Sequence, residues 1–165
     1  MRRAEANRAL PADDPYLTPA ALTQMEAELE RLEKSERRAA AEEVARTGAM
    51  GDLSENAAYQ VAKQRLRGIN TLILVLQERL KRAVPITKSD KDFGFIRIGS
   101  TLTLRQANGT ERTYTILGSL ETNPAQGFIS HASPLGKALI GHTVGETVRV
   151  ETPGGEVTYV IVALH

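Results

Sequence analysis

The sequence contains no cysteine and no tryptophan, and aromatic residues fill only 4% of its 165 positions. Without thiols it forms neither disulfides nor thiolate metal sites, and the redox compartment is left open. Few aromatics still permit a real core at this length, which suits one domain or two small ones. An excess of charge is missing too. Lys and Arg number 21 against 20 Asp and Glu, a net charge of +1, so bulk electrostatics alone does not mark a nucleic-acid binder. The longest aliphatic run, Leu72 to Leu76, falls far short of the ~20 residues a membrane span needs. Arg2 and Arg3 precede no apolar segment, so the start does not resemble a secretory signal. The chain reads as soluble and cytoplasmic.

What is present is helical periodicity on either side of one interrupted stretch, Gly48-Ala-Met-Gly-Asp-Leu-Ser-Glu-Asn-Ala-Ala-Tyr59. Gly48 and Gly51 break helix continuity, because glycine costs roughly 1 kcal/mol against Ala inside a helix. Before the break, Thr18 is a good N-cap, Pro19 falls at the first helical position, and Leu17 and Leu22 can form a staple. Leu22, Met25, Leu29 and Leu32 then follow coiled-coil spacing. The seam thins through Glu36, Ala39 and Glu43, and Ala40 and Val44 suggest a local shift of frame. After the break a second helix is predicted over 54–83. Tyr59, Ala62, Leu66, Ile69, Ile73, Leu76 and Leu80 hold one seam throughout. The two seams match in antiparallel register: Met25 with Leu76, Leu29 with Ile73, Leu32 with Ile69, and Ala39 with Ala62. These pairs share a fold axis at Gly51, which predicts an intramolecular hairpin, its arms reaching roughly 40–45 Å at ~1.5 Å per residue.

Proline at 85 ends the second helix, and 85–94 reads as a linker. Leu102 and Leu104 then alternate with Thr101, Thr103 and Arg105, the strand period. Asn108-Gly109 predicts a two-residue hairpin turn. Ser133-Pro134 starts a short helix that Gly141 stops, and Pro153-Gly154-Gly155 turns into a last strand, Val157 to Leu164, that should be central or covered on both sides. The predicted fold class is α+β: a mobile extension over 1–16, an antiparallel coiled-coil hairpin over 17–84, and a small, mostly antiparallel β-sheet domain with one short helix over 95–165.

The chemistry concentrates at Asp52 and Glu55. Asp-x-x-Glu before an apolar-periodic run is also an N-terminal capping box. Against that reading stand the pair's place at the end of a long arm and its small or polar neighbours Gly51, Ser54, Asn56 and Ala57. Two hard oxygen donors suit Mg²⁺, which commonly takes one or two protein carboxylates. Alone they make too few ligands, so a shared site is expected. Lys63, Arg65, Arg67, Arg79, Lys81 and Arg82 outnumber Glu78 on the second helix. They form a solvated face or, for Lys63 with Arg46 and Arg65, a contact to phosphates. Tyr59 is at once a seam and a tip residue. His131, His142 and His165 have no ligand spacing, and Ser130 and Ser133 lack a nearby His–Asp pattern.

Gly51-Asp-Leu-Ser-Glu-Asn-Ala-Ala-Tyr59, followed by Ala62-Lys63, resembles the tip signature of bacterial transcript cleavage factors of the GreA/GreB family. Ile129-Ser130, Ser133-Pro134-Leu135, Ala138-Leu139, Gly141 and Thr152-Pro-Gly-Gly-Glu156 resemble that family's C-terminal domain. The resemblance implies an FKBP-like C-terminal domain, residues 95–165, that docks on RNA polymerase, with Ser130, Ser133, Pro134 and Leu135 in the docking face. It implies that the hairpin enters the polymerase's secondary channel. There Asp52 and Glu55 would help hold a second Mg²⁺ in the polymerase's own site, stimulating cleavage of the 3′ end of backtracked RNA by two-metal chemistry. On this reading the protein is an accessory factor, not an enzyme. It would be a monomer that holds Mg²⁺ only in the complex, meets DNA only through the elongation complex, and contacts RNA through Lys63, Arg65 and Arg46. The stretch between Arg46 and Asp52 is longer than in many GreA proteins, and the extension before Leu17 departs from the family start. The rival expectations are a non-cleaving channel regulator of the same shape and a structural coiled-coil adaptor.

Overall fold

The computed structural model describes residues 14–49, 57–87 and 94–165. It divides into two compact units. One comprises Ala20–Ala83, and the other joins the chain up to Pro19 with Val84–His165. Among the described residues no helix is long and apolar enough to cross a membrane.

The hairpin unit follows from its seam. Helix α1 (Pro19–Arg31) starts with proline at its first position, runs into a π-helical turn (Leu32–Glu36), and continues as α2 (Arg37–Gly48). Helix α3 spans Ala57–Arg82. Leu32, Ala40, Ile69 and Ile73 are buried together, with Leu29, Leu66 and Leu76 packed against them. This cluster holds the expected partners Leu29 with Ile73 and Leu32 with Ile69. The expected pairing through Ala39 is displaced: Ala40 is buried and Ala39 is exposed. The π turn is the reason. The Arg37 N–H bonds the Leu32 carbonyl, a five-residue closure that admits one extra residue and rotates the following helix. Beyond Leu32 the inward positions therefore step by four, to Glu36 and Ala40, the frame shift that Ala40 signals in the sequence. Arg31 and Glu36 form an ion pair across this turn, five residues apart, where an ordinary helix would align residues three or four apart. Gln77 Nε2 donates to Glu33 Oε1 at 2.8 Å and ties α3 to the turn. At the far end of α2, buried Thr47 satisfies its hydroxyl locally, donating to the Glu43 carbonyl at 2.8 Å.

The second unit is a five-stranded sheet in the order β5-β4-β3-β7-β6. Its strands are β3 (Thr101–Gln106), β4 (Glu111–Leu117), β5 (Phe128–Ser130), β6 (Thr147–Thr152) and β7 (Gly155–Leu164). Three pairings are antiparallel, and β4–β5 is parallel, so the sheet is mixed. The alternation in β3 buries Leu102 and Leu104, and β7 lies inside the sheet as its two apolar faces require. Helix α4 (Pro134–Leu139) adds Leu139 to a core with Ile96, Ile116, Ile129 and Ile161. The turn at Asn108-Gly109 is longer than the two residues expected. Gln106 N–H bonds Thr110 O at 2.9 Å, leaving three residues outside the ladder. A two-residue turn of the favoured type needs both central residues left-handed. Only Gly109, at φ 82°, is so, and no described non-glycine residue has positive φ.

Two short strands, β1 (Tyr16–Leu17) and β2 (Val84–Pro85), pair in parallel in this same unit. Val84 N–H donates to Pro15 O at 2.7 Å and Ile86 N–H to Leu17 O at 2.8 Å, with Leu17 and Ile86 buried. Asp14–Leu17, which the sequence reading assigned to an extension and to the hairpin's first residue, thus belong to the sheet unit. So does Ile86, assigned to a linker. The expectations for 1–13 and 88–93 lie outside the described residues.

Glycine substitutions separate these packing constraints. A Cβ on Gly118 would lie 1.9 Å from Tyr16 O, and one on Gly136 would lie 2.1 Å from Ser130 O, whereas one on Gly68 meets nothing within 4 Å. Gly118→Ala and Gly136→Ala are each expected to destabilise by about 1–3 kcal/mol. Gly68→Ala, inside a helix, should stabilise by up to about 1 kcal/mol. Urea unfolding midpoints check both signs.

Candidate functional site

Helix α2 ends at Gly48 and α3 begins at Ala57. The connecting stretch that carries Asp52 and Glu55 lies outside the described residues. The helical ends that flank it are described, and they sort the cations expected near the tip.

Arg46 is engaged with its own helix. It donates to both carboxylate oxygens of Glu43, at 3.0 and 2.6 Å. That hydrogen bond holds the Glu43 carboxyl below its ordinary range against a desolvation penalty, and the fields of Arg46 and Arg65 add to the effect. Arg65, exposed on α3, faces the same carboxylate across a groove of about 570 Å³. The groove is walled by Ala39, Ala57, Ala58, Val61 and Ala62, where the seam has only small side chains to offer. Lys63 lies elsewhere. Its Nζ stands 5.1 Å from the Tyr59 ring centroid, a cation–π distance. Residues two apart on a helix do not face each other, so the three basic residues divide. Arg46 and Arg65 gather at Glu43, and Lys63 stacks on Tyr59.

The expected docking residues are brought together. Ser133 caps α4: its Oγ accepts from Gly136 N–H at 3.0 Å and donates to Ser130 O at 2.6 Å. Ser130 Oγ accepts from Ala132 N–H at 3.0 Å and lies 2.8 Å from Ser119 Oγ. Both hydroxyls are thus built into the turn as structural bonds. Pro134 is exposed at the first position of α4, while Leu135 packs partly against the core.

One group escaped the sequence reading. Asp14 has a side chain only 4% exposed, and it underlies this turn. Its Oδ2 accepts from Ser119 N–H at 2.6 Å and meets His131 Nε2 at 2.9 Å, while Oδ1 accepts from Tyr16 N–H at 3.2 Å. Tyr16 packs edge-on against His131, ring centroids 5.3 Å apart. Beside it, Thr18 donates through N–H and hydroxyl to the Glu121 carboxylate at 2.7 and 2.5 Å. Burial alone would raise the Asp14 carboxyl, but the bonds from Ser119, Tyr16 and His131 outweigh it and hold the group below its ordinary value. The partners are more than a hundred residues away in sequence, so local pattern offered no signal beyond the apolar pair Tyr16-Leu17.

A two-helix hairpin and a small mixed-sheet unit, with Asp52 and Glu55 between the helices in the sequence, make up this chain. Sequence comparison names the family. A profile described as "Transcription elongation factor, N-terminal" matches residues 15–84, and one described as "Transcription elongation factor, GreA/GreB, C-term" matches 90–165. Transcription elongation factor GreA of Chloroflexus aurantiacus is 43% identical over 141 residues, 85% of this chain and 90% of that protein. GreA of Bacillus anthracis is 37% identical over 141 residues, covering 85% and 89%. Among solved structures, GreA factor homolog 1 (Gfh1) of Thermus thermophilus matches at 29% identity over 90% of this chain and 97% of that one, with a TM-score of 0.40. That score is low enough that membership rests on the sequence matches. The chain belongs to the GreA/GreB family of transcription elongation factors.

The Asp14 network makes a pH prediction. A folded carboxyl below its ordinary value contributes stability that is full above about pH 4 and is lost as pH falls through the folded value. Asp14→Ala, which strands two buried N–H groups, should cost about 1–3 kcal/mol at neutral pH. The gap between wild type and variant should narrow below about pH 4 in urea titrations taken at stepped pH.

Proposed function

We propose that this chain is an accessory elongation factor that binds RNA polymerase and stimulates cleavage of the 3′ end of backtracked RNA. The observation that carries the reading is the pairing of two seam-matched helices, α2 ending at Gly48 and α3 starting at Ala57. Between them lies the acidic stretch with Asp52 and Glu55. Entry of this hairpin into the secondary channel would carry the two carboxylates to the polymerase's own catalytic centre. The docking turn at Ser130, Ser133, Pro134 and Leu135 would hold the sheet unit at the entrance. Cytoplasmic action follows from that partner, and DNA is met only through the elongation complex.

The donor set suits Mg²⁺, being hard oxygen, but is incomplete. No group of three or more His, Cys, Asp or Glu among the described residues is arranged to hold an ion. As hard oxygen donors, Asp52 and Glu55 suit a Mg²⁺ whose other ligands would come from the polymerase and from phosphate oxygens. When bound, that ion supplies charge stabilisation to phosphodiester hydrolysis. The chain's own part is to deliver the carboxyl groups of Asp52 and Glu55, which precede α3 in the sequence. Lys63, fixed over Tyr59, is the cation best placed for phosphates of the extruded RNA. Arg46 and Arg65 already share Glu43 on another side.

Asp52→Ala and Glu55→Ala are each expected to abolish cleavage in purified backtracked elongation complexes with Mg²⁺, while polymerase binding survives. Cleavage by both variants at the wild-type rate would remove these residues from the chemistry. A wild-type chain that binds and never cleaves would make it a non-cleaving regulator instead.

A further inference from the structure

Strand β6 lies at one edge of the sheet, beside β7 alone. The opposite edge, β5, is three residues long, whereas β6 has six, Thr147–Thr152, with neither proline nor glycine among them. Its pairing with β7 fixes which way its backbone faces. Thr152 opposes Gly155 across the turn Pro153-Gly154, and Ile161 N–H donates to Glu146 O at 2.9 Å. Bonded pairs recur at every second residue of an antiparallel ladder, so Val148, Val150 and Thr152 bond β7. Thr147, Arg149 and Glu151 turn their N–H and C=O groups away from the sheet. Among the described residues no backbone group bonds this outward row. The side chains of the same three residues are exposed, while Val148 and Val150 are buried in the core. Charge on this edge is unbalanced. Glu151 stands directly opposite Glu156 of β7, and both are exposed. Like charges so placed repel. Among the described residues no ion pair takes up either carboxylate or the Arg149 guanidinium.

We propose that the open edge of β6 docks β6 of a second copy of this chain, antiparallel and centred on Val150. Pairing along this edge sets outward-turned residues against one another, so the strand centre falls on Arg149, Val150 or Glu151. Centred on Arg149, arginine meets arginine. Centred on Glu151, glutamate meets glutamate. Centred on Val150, Arg149 meets Glu151 of the second copy, and Glu151 meets Arg149 of the second copy. Opposite charges directly across a ladder attract. Each arginine then also stands beside the Glu151–Glu156 pair of the other copy and supplies the cation that this pair lacks. Edge charges of one sign guard a strand against self-pairing. Opposite signs two residues apart do the reverse under a twofold axis, which lays each charge on its complement. An unrelated strand would bond the same backbone, but only one that reads Arg-x-Glu in the opposed direction answers both charges, and β6 is such a strand. The overlap, residues 148–152, is short, so the pairing belongs to the transient class of interface. In dilute solution the chain is then the monomer that the resemblance implies. None of these residues belongs to the carboxylate motif or to the turn that leads into α4, so the pairing is independent of the proposed cleavage.

The test is sedimentation equilibrium of the full chain from about 10 µM to about 1 mM. Wild type should pass from monomer towards dimer as concentration rises, and less so in high salt. Arg149→Glu and Glu151→Arg each set like charge on like charge at both crossings. Each variant alone should weaken the dimer by about tenfold or more. Mixed in equal amounts, the two variants should recover it, because each supplies the charge that the other lacks. That recovery is a result which misfolding of either variant would not give. Wild type that stays monomeric across the range would overturn the proposal. So would a dimer that neither single change weakens, or a mixture that associates no better than its components.

Discussion

The antiparallel apolar seam between the two arms of the hairpin is the constraint on which everything else depends. It is a thin core. Four buried residues, Leu32, Ala40, Ile69 and Ile73, carry it, supported by Leu29, Leu66 and Leu76. Its large side chains lie away from the bend, and towards the bend they give way to Ala40, Ala62 and Thr47. Hydrophobic stabilisation scales with apolar area removed from water, so the base of the hairpin is held more firmly than the end that carries the acidic motif. The groove beside Glu43 and Arg65 is a direct result of those small side chains. Surface ion pairs at helical spacing, such as Glu30 with Lys34 and Arg38 with Glu42, add little on their own.

The sheet unit is organised by contacts of a different kind. The turn that leads into α4 is fixed from within by the Ser133 cap and from below by Asp14, which reaches Ser119 and His131. At Gly118 and Gly136 backbone runs so close to backbone that no side chain fits. The strand Tyr16–Leu17 therefore acts as a brace for the surface that Pro134 presents. Ser119, held by Asp14, is in turn hydrogen-bonded to Ser130.

Features with a repeating local signal were legible in the sequence. The heptads gave the hairpin and its register, alternation gave β3, and Ser133-Pro134 with Gly141 gave α4. The π turn was visible only as a fault, because an extra residue disturbs the repeat without saying how the helix absorbs it. The parallel pairs β1–β2 and β4–β5, and the whole Asp14 network, were not legible. They join residues far apart in the chain, and such pairing leaves no trace in a short window. Of the candidate site, Ser130, Ser133, Pro134 and Leu135 lie at one turn, and the basic residues are split between Glu43 and Tyr59. Asp52 and Glu55 were legible as a motif lying in the sequence between two paired helices.

The central claim is that the stretch between α2 and α3 reaches the RNA 3′ end inside a stalled polymerase. The chain has no cysteine, so a single cysteine at Leu53 can carry a short photo-crosslinker without interference. In a backtracked complex with labelled RNA, the account predicts a crosslink to the extruded 3′-terminal nucleotides. Crosslinks confined to the outer surface of the polymerase, with the RNA untouched, would contradict it.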